Sequence, residues 1–511
     1  MAESRTEKSI KNILFGVTSK FLVLILGFVD RKFFIGFLGD ELLGVNGLFS
    51  NVLLMLSLAE LGITNVMVYS YYKPLAEGNY EKLNSLTRFY KKIYTLIAII
   101  VAAVGIFLIP FLKYIVKTEH VIDNLVLIYI IFVANTVVSY LFVYKSTILT
   151  ADQQGYLVSK VQIRVDVIRQ LVQIVVLIVF RDIILYLLVK LVAVLMNNLI
   201  LVRIVKKRYQ YLDDKNAEDI SKEEKHEIFS TVASGFIYKF AGILLNGTDN
   251  ILISSLVGTI LVGYVANYDT IIVAIMGFVT IFYGSITASL GNLNVSASSQ
   301  KKKEVFDIML YIGFWISLIV IPCCYCLLGD FIKVWLGEKY VLGNDILIVK
   351  LSMMYLSCTL NTVFSFREAT ALFKKTKYAI FAGSVMNIIL SIVLGRVIGL
   401  VGILVASIIS MLATYVWYEP VIIYKKYFET SPAEYFYKHL KNLLVICGMI
   451  FVMYKLTINI SVTNWITLIF KASICFGISV VISFIYQCSQ KEYAAIKERM
   501  GFLVNKFIKR N

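Results

Sequence analysis

Residues 20–44 read KFLVLILGFVDRKFFIGFLGDELLG, and residues 239–263 read KFAGILLNGTDNILISSLVGTILVG. At one constant offset of 219 residues, Lys20-Phe21 recurs as Lys239-Phe240, Asp30 as Asp249, Gly39 as Gly258 and Gly44 as Gly263. Leu24, Ile25 and Leu26 fall on Ile243, Leu244 and Leu245. Apolar coincidences carry no weight in so hydrophobic a chain. A Lys, an Asp and two Gly held in register do, and they mark an internal repeat. Phe111-Leu112-Lys113 then matches Phe331-Ile332-Lys333, and Tyr156 matches Tyr378, with the slow drift that small loop insertions produce.

Outward from these stretches the composition fixes the solvent. Of 511 residues 59% are hydrophobic and only 16% charged, against roughly 25% charged in a soluble chain. Apolar runs of about 20 residues recur throughout, each long enough to cross roughly 30 Å of hydrocarbon. The backbone in lipid must satisfy its own hydrogen bonds, so the runs are expected to be helices. Alternation at period two, the mark of a barrel, is absent. Fourteen spans are expected, at 13–38, 43–70, 89–115, 122–149, 157–180, 183–205, 228–256, 262–290, 305–330, 341–366, 378–398, 400–424, 440–458 and 464–487. The split between Gly395 and Gly402 asks two helices to share a very short turn. Met1 to Asn12 is polar and precedes no small-residue cleavage site, so the first run is expected to be a retained helix.

The formal net charge is +17. Most of the 50 Lys and Arg fall in alternate loops, including Lys206-Lys207-Arg208, Lys301-Lys302-Lys303, Lys374-Lys375-Thr376-Lys377 and a tail ending Lys509-Arg510, while the loop Val257 to Gly263 carries no charge. By the positive-inside rule these loops are cytoplasmic, and so are both termini. That topological reading accounts for the charge without a nucleic-acid partner. The polar stretch from Lys206 to Glu227 divides the chain. The expected parts are a six-helix lobe at 1–205, a linker at 206–227, a second six-helix lobe at 228–424, and two further helices with a basic tail at 425–511. Six helices separate the copies, so the lobes are parallel repeats, related by an axis along the membrane normal, around a central cleft.

Ionisable groups inside spans cost at least roughly 2.5–3.5 kcal/mol each near a helix centre, and those retained are expected to face a cavity or one another. Lys20 and Arg31 are three full turns apart and share a helix face. Lys239 and Asn250 occupy the matching face of the second copy. Asn46 and Glu60 share a face, and Asp166 and Arg169 are placed to pair. Lys20, Arg31, Lys239, Arg164, Arg169, Asn46 and Asn250 are therefore the candidates for a cationic substrate cleft. Asp30, Glu60, Asp249 and Asp269 are candidates for coupling to an ion, H+ or Na+. Lys190 and Lys471 are expected to snorkel to the interface. Cations outnumber carboxylates in these spans, which favours an anionic substrate, and the planar fork of Arg suits phosphate oxygens.

Enzymatic signatures are missing. The chain has no G-x-x-x-x-G-K-[ST] loop. Its three His, at 120, 226 and 439, read as lying in or beside loops. Its seven Cys have no C-x-x-C pair and read as small packing residues, so neither a metal site nor a redox motif is expected. No catalytic residue, metal or cofactor is expected, and no external loop is long enough to house a polymerase active site.

Arg31-Lys32-Phe33-Phe34-Ile35, Leu38-Gly39, Gly44-Val45-Asn46-Gly47-Leu48-Phe49, Leu58-Ala59-Glu60-Leu61-Gly62 and Tyr72-Lys73-Pro74-Leu75 together resemble the Wzx-type polysaccharide flippases of the multidrug/oligosaccharidyl-lipid/polysaccharide exporter superfamily. The dense likeness covers Arg31 to Leu75; topology and repeat extend it over the chain. The resemblance implies an all-α integral membrane fold of two six-helix lobes, like the MATE and MurJ transporters, plus two C-terminal helices. It implies an undecaprenyl-diphosphate oligosaccharide as substrate, moved from the inner to the outer leaflet of a bacterial cytoplasmic membrane for capsule or exopolysaccharide synthesis, with a cation-lined lumen and ion-gradient coupling. Such a protein would act as a monomer beside a polysaccharide polymerase and chain-length machinery. A lipid II flippase, a multidrug or metabolite exporter of the same superfamily and, less favoured, a membrane polymerase are the alternatives.

Overall fold

The computed structural model describes residues 5–56, 63–213, 219–296, 298–370, 372–493 and 497, with side chains for most of them; those of Lys20 and Lys239 lie outside the described set, as does Glu60 entirely. Among the described residues the chain is helical with no strand. In the first half run α1 (Arg5–Leu38), α2 (Asp40–Leu56), α3 (Ile63–Glu77), α4 (Tyr80–Phe107), the short α5 (Leu112–Ile115), α6 (Leu125–Ala151), α7 (Gly155–Val179), α8 (Ile183–Arg208) and α9 (Lys222–Leu252). Then follow α10 (Thr259–Ser296), α11 (Ser299–Trp335), α12 (Asn344–Ala369), α13 (Phe373–Ala413), α14 (Tyr415–Ile423), α15 (Ala433–Thr457) and α16 (Trp465–Cys488). Every expected span overlaps a helix. Ten helical stretches among the described residues are long and apolar enough to cross a bilayer, and the chain is a multi-pass membrane protein. One of the ten, Thr376–Phe428, is 53 residues long. It is broken where Ile398 and Gly399 leave helical geometry, Gly399 at φ 61°, so it supplies two spans meeting at the short turn expected there.

The chain divides into two compact units, Met1–Gly263 and Tyr264–Asn511. In the first, α6 packs on α4 and α8, α1 on α7, α7 on α8, and α2 on α9. The repeated glycines explain themselves here. Gly39 ends α1 at φ 84° and Gly258 precedes α10 at φ 156°, backbone conformations a side chain resists. Gly44 and Gly263 permit close approach: a Cβ on Gly44 would lie 2.1 Å from the Thr259 carbonyl oxygen, and one on Gly263 would lie 3.1 Å from the Gly44 nitrogen. The two copies thus touch at equivalent small residues, as expected where helices pack without side chains between them.

The core of this unit is rich in tyrosine. Tyr71, Tyr90 and Tyr94 are fully buried, and their hydroxyls meet Thr87 at 2.8 Å, Ser70 at 3.1 Å and Thr64 at 2.6 Å, which removes the cost of burying them. The linker between α8 and α9 is strapped to α4. Tyr211 packs at a tilt against Tyr80 with centroids 4.3 Å apart, Lys92 pairs with Asp219 at 3.1 Å, and Lys82 pairs with Glu224. Glu224 also closes a capping box with Ser221 at the start of α9, satisfying backbone donors that the helix leaves open. The Lys82 ammonium holds the Glu224 carboxyl below its ordinary value, and Lys92 does the same for Asp219.

In the second unit α11 packs on α12, α15 and α16. Tyr311 donates to the Gln487 carbonyl at 3.1 Å, and Asn442 to Ser317 at 3.0 Å. His439 was expected near a loop. It lies inside α15, buried against Phe314 and Tyr435 and 3.0 Å from the Tyr355 hydroxyl. The apolar run beginning two turns later hid the fact that the helix starts at Ala433. All seven Cys are free, and Cys324, Cys358 and Cys475 are buried packing residues.

Candidate functional site

Three helices of the first unit gather the charge that the sequence scatters. On α7, Asp166, Arg169, Gln170 and Gln173 recur at the three-to-four spacing of one helix face. Arg169 donates to Asp166 Oδ1 through Nε at 3.3 Å and Nη2 at 3.2 Å, and to Gln173 Oε1 through Nη1 at 2.7 Å. The turn into α8 is made by Arg181 at φ 51°, and Asp182 caps α8 by accepting from the Leu185 amide at 2.8 Å. This tight reversal sets α8 beside α7, so the Gln173 side chain donates to the Tyr186 carbonyl at 3.1 Å. The Tyr186 hydroxyl in turn donates to Asp30 Oδ2 on α1 at 2.7 Å, and its ring meets Phe34 edge-on at 5.1 Å.

Asp166, Arg169, Gln173, Tyr186 and Asp30 are therefore in contact in series, with Tyr186 held at its main-chain carbonyl by Gln173 and bonded to Asp30 through its hydroxyl. Asp30 is 8% exposed, and its Oδ1 has no hydrogen-bond partner among the described residues. Arg169, Arg31 and Lys190 all act electrostatically on that carboxylate. Three cations surround two carboxylates, so the cluster carries a positive excess. Lys190 does not snorkel away: it is half-buried, with its ammonium 5.2 Å from the Phe132 ring centre. Beside the cluster, between α7 and α8, runs an apolar groove of about 590 Å³. Arg169 is the one charged residue in its wall, among Val, Ile, Leu, Phe, Met and Ala.

The other candidates are placed as follows. Arg31 is half-buried and donates through Nη2 to the Gly263 carbonyl at 3.4 Å, reaching the turn where the second copy meets the first. Arg164 is exposed on α7, and Asn46 on α2 is half-buried. Asn250 and Asp249 are half-buried on α9. The side chains of Lys20 and Lys239, and the whole of Glu60, lie outside the described residues. Asp269, in the second unit, pairs with Lys350 at 2.7 Å between α10 and α12. Lys471 does not snorkel either; it is 9% exposed and bonded to Asp330 at 2.7 Å.

Sequence reasoning passed over Tyr186, Gln173 and Gln170, because only ionisable residues were sought inside spans. It also passed over the most deeply buried pair of the second unit. Arg367 on α12 donates twice from Nη1 to the Glu419 carboxylate of α14, both at 2.9 Å, with both side chains at most 3% exposed. No group of three or more His, Cys, Asp or Glu able to hold a metal occurs among the described residues.

This arrangement of helices is a fold shared with solved membrane transporters. Among solved structures, the chain is similar to the lipid II flippase MurJ in its inward closed conformation, with a TM-score of 0.66 at 15% identity over 93% of this chain and 98% of that one. It is also similar to the MATE multidrug transporter DinF-BH, with a TM-score of 0.58 at 13% identity over 82% and 96%. A third likeness is to a multidrug resistance MATE family transporter in its inward-facing conformation, with a TM-score of 0.57 at 13% identity over 76% and 93%. No protein-family model and no curated protein matches the sequence. At these identities the likeness is one of fold, and the fold neighbours are transporters and flippases.

Proposed function

We propose that this protein is a flippase for a polyprenyl-diphosphate-linked oligosaccharide, moving it from the inner to the outer leaflet by alternating access. The observation that carries the reading is the position of Arg169. Its guanidinium belongs to a polar, net-positive cluster, and the same residue lines an apolar groove. A lipid-linked diphosphate needs both surroundings, cations for its phosphates and an apolar wall for its chain. The Wzx-like motif between Arg31 and Leu75 favours an oligosaccharide destined for capsule or exopolysaccharide, and the fold shared with a structure named as a lipid II flippase is consistent with a lipid-linked cargo.

Within this reading Arg31, Arg164, Arg169, Lys20 and Lys239 serve the anionic cargo, assisted by Asn46 and Asn250. Asp30, buried beside three cations, is the foremost candidate for coupling to H+ or Na+, followed by Asp249 and Glu60. A second reading, a multidrug exporter, is favoured by Asp30 alone, because a buried carboxylate suits a cationic drug or its counter-ion. The surplus of cations around it weighs against that reading.

The test is reconstitution of the purified protein in vesicles with fluorescent undecaprenyl-diphosphate oligosaccharide and, separately, lipid II. The expected result is leaflet exchange of the oligosaccharide carrier above protein-free vesicles, slowed when an ionophore collapses the gradient. Exchange of lipid II alone would assign the rival substrate, and unchanged exchange after collapse would remove ion coupling.

A further inference from the structure

One cavity of the first unit belongs to none of these groups. It measures about 650 Å³ and lies where α3, α4 and α9 end or begin, the side that the charge distribution places in the cytoplasm. Its walls include Tyr69, Lys73 and Glu77 of α3, Lys82 of α4, and Glu224 and Glu227 of α9, with branched aliphatic residues beneath. Lys73 and Pro74 of the motif Tyr72-Lys73-Pro74-Leu75, which the buried cluster leaves unused, form part of this wall.

The chemistry of the lining narrows what fits. Three carboxylates and two ammonium groups almost cancel, so the cavity is no trap for a bare anion. Lys82 and Glu224 are paired with each other, and Lys73 and Glu77 approach only to 3.9 Å with both side chains largely exposed. That leaves acceptors and donors at the mouth for a polyhydroxy ligand, since carboxylates accept from several hydroxyls at once and ammonium groups donate to them. Tyr69 adds an aromatic ring that is 75% exposed and meets Tyr72 edge-on at 6.3 Å. A large exposed Tyr beside dense polar groups is the make-up of a recognition surface, an apolar plate with a wet rim.

We infer that this cavity receives the sugar residues of a lipid-linked oligosaccharide on the cytoplasmic side, before the diphosphate engages the buried cations. The inference rests on the flippase reading and adds a site at which the glycan is sensed separately from the lipid. Tyr69 stacks on a sugar ring, Glu227 and Glu77 accept from its hydroxyls, and Lys73 donates to ring or hydroxyl oxygens. The Lys82–Glu224 pair holds α4 and α9 at the separation the sugar requires.

Binding to the full-length protein in nanodiscs tests this. The probes are farnesyl diphosphate and a panel of farnesyl-diphosphate disaccharides built from glucose, galactose and N-acetylglucosamine. At least one panel member is expected to bind about tenfold tighter than farnesyl diphosphate. Tyr69→Ala and Glu227→Gln should abolish that advantage while leaving farnesyl diphosphate binding unchanged, and Tyr69→Phe should retain it. Both positions are exposed, so the variants keep the fold, checked by an unchanged unfolding temperature. The inference is overturned if the sugar advantage survives in both variants, or if the variants weaken farnesyl diphosphate equally. If the wild-type protein binds no prenyl diphosphate, with or without sugar, the flippase reading falls as well; if it binds farnesyl diphosphate but prefers no panel member, only the sugar site falls.

Discussion

The two units of this chain handle buried charge in opposite ways. In Tyr264–Asn511 three deeply placed cations are closed off by a carboxylate, Arg367 with Glu419, Lys350 with Asp269 and Lys471 with Asp330, while Lys303, Asp307, Glu434, Lys438 and Glu492 share a network at the ends of α11 and α15. In Met1–Gly263 the buried charges form an open cluster: Asp166, Arg169, Gln173, Tyr186 and Asp30 touch in series, Arg31 and Lys190 also act on Asp30 so that three cations stand against two carboxylates, and Asp30 keeps one oxygen without a partner among the described residues. Closed pairs neutralise charge that the membrane would otherwise penalise. An open, net-positive cluster retains capacity to bind something else. Under the proposed flippase reading, the second set serves stability and the first serves transport.

The comparison breaks most visibly at Arg367. Arg367→Ala leaves the Glu419 carboxylate buried without its cation and is expected to cost about 3–5 kcal/mol, read as a large fall in unfolding temperature and yield. Arg367→Met combined with Glu419→Leu should recover most of that loss, because the pair's desolvation cost disappears with it. If the single variant were as stable as wild type, the pair would not be structural. Gly44→Ala and Lys471→Met follow with effects of similar size. A Cβ on Gly44 would collide with the Thr259 carbonyl, and overpacking of this kind costs about 1–3 kcal/mol, so thermal unfolding should shift while Gly36→Ala, with nothing within 4 Å, should not. Lys471→Met is expected to cost about as much as a charged hydrogen bond, roughly 1.5–3 kcal/mol, since Asp330 retains some access to solvent.

The smallest effect concerns the linker strap. Glu224 and Asp219 are both held below their ordinary values by Lys82 and Lys92. A carboxyl whose folded value is depressed contributes stability above its unfolded value and loses it as pH falls through the folded one. Amide exchange over residues 219–231 should therefore be slow at pH 7 and accelerate only below about pH 4, after correction for intrinsic rates. Acceleration between pH 7 and pH 5 would contradict the ion pairs as the cause.

Much of this was legible from the chain. Span positions followed from hydrophobic length alone, because lipid leaves the backbone no alternative to helix. The repeat was legible because its glycines and its Lys and Asp have physical duties that apolar residues do not share: Gly39 and Gly258 turn at positive φ, and Gly44 and Gly263 touch. The Asp166–Arg169 pair was legible because its partners lie three residues apart on one helix. Arg367–Glu419, Lys471–Asp330 and Tyr186–Asp30 were not, since their partners are 52, 141 and 156 residues apart and only packing chooses among the helices that could meet. Snorkelling was the wrong expectation for Lys471 for the same reason: an unpaired Lys in a span reads as reaching for water until its carboxylate is seen.

The most direct measurement compares the two units in one assay. Purified wild type, Arg169→Ala and Lys350→Met are reconstituted at equal folded amounts in vesicles containing labelled undecaprenyl-diphosphate oligosaccharide, and the rate of leaflet exchange is followed. The expected outcome is a fall of about tenfold or more for Arg169→Ala with its unfolding temperature preserved, and a rate near wild type for Lys350→Met despite reduced stability. Full exchange by Arg169→Ala, or equal losses in the two variants, would contradict the assignment of transport to the open cluster.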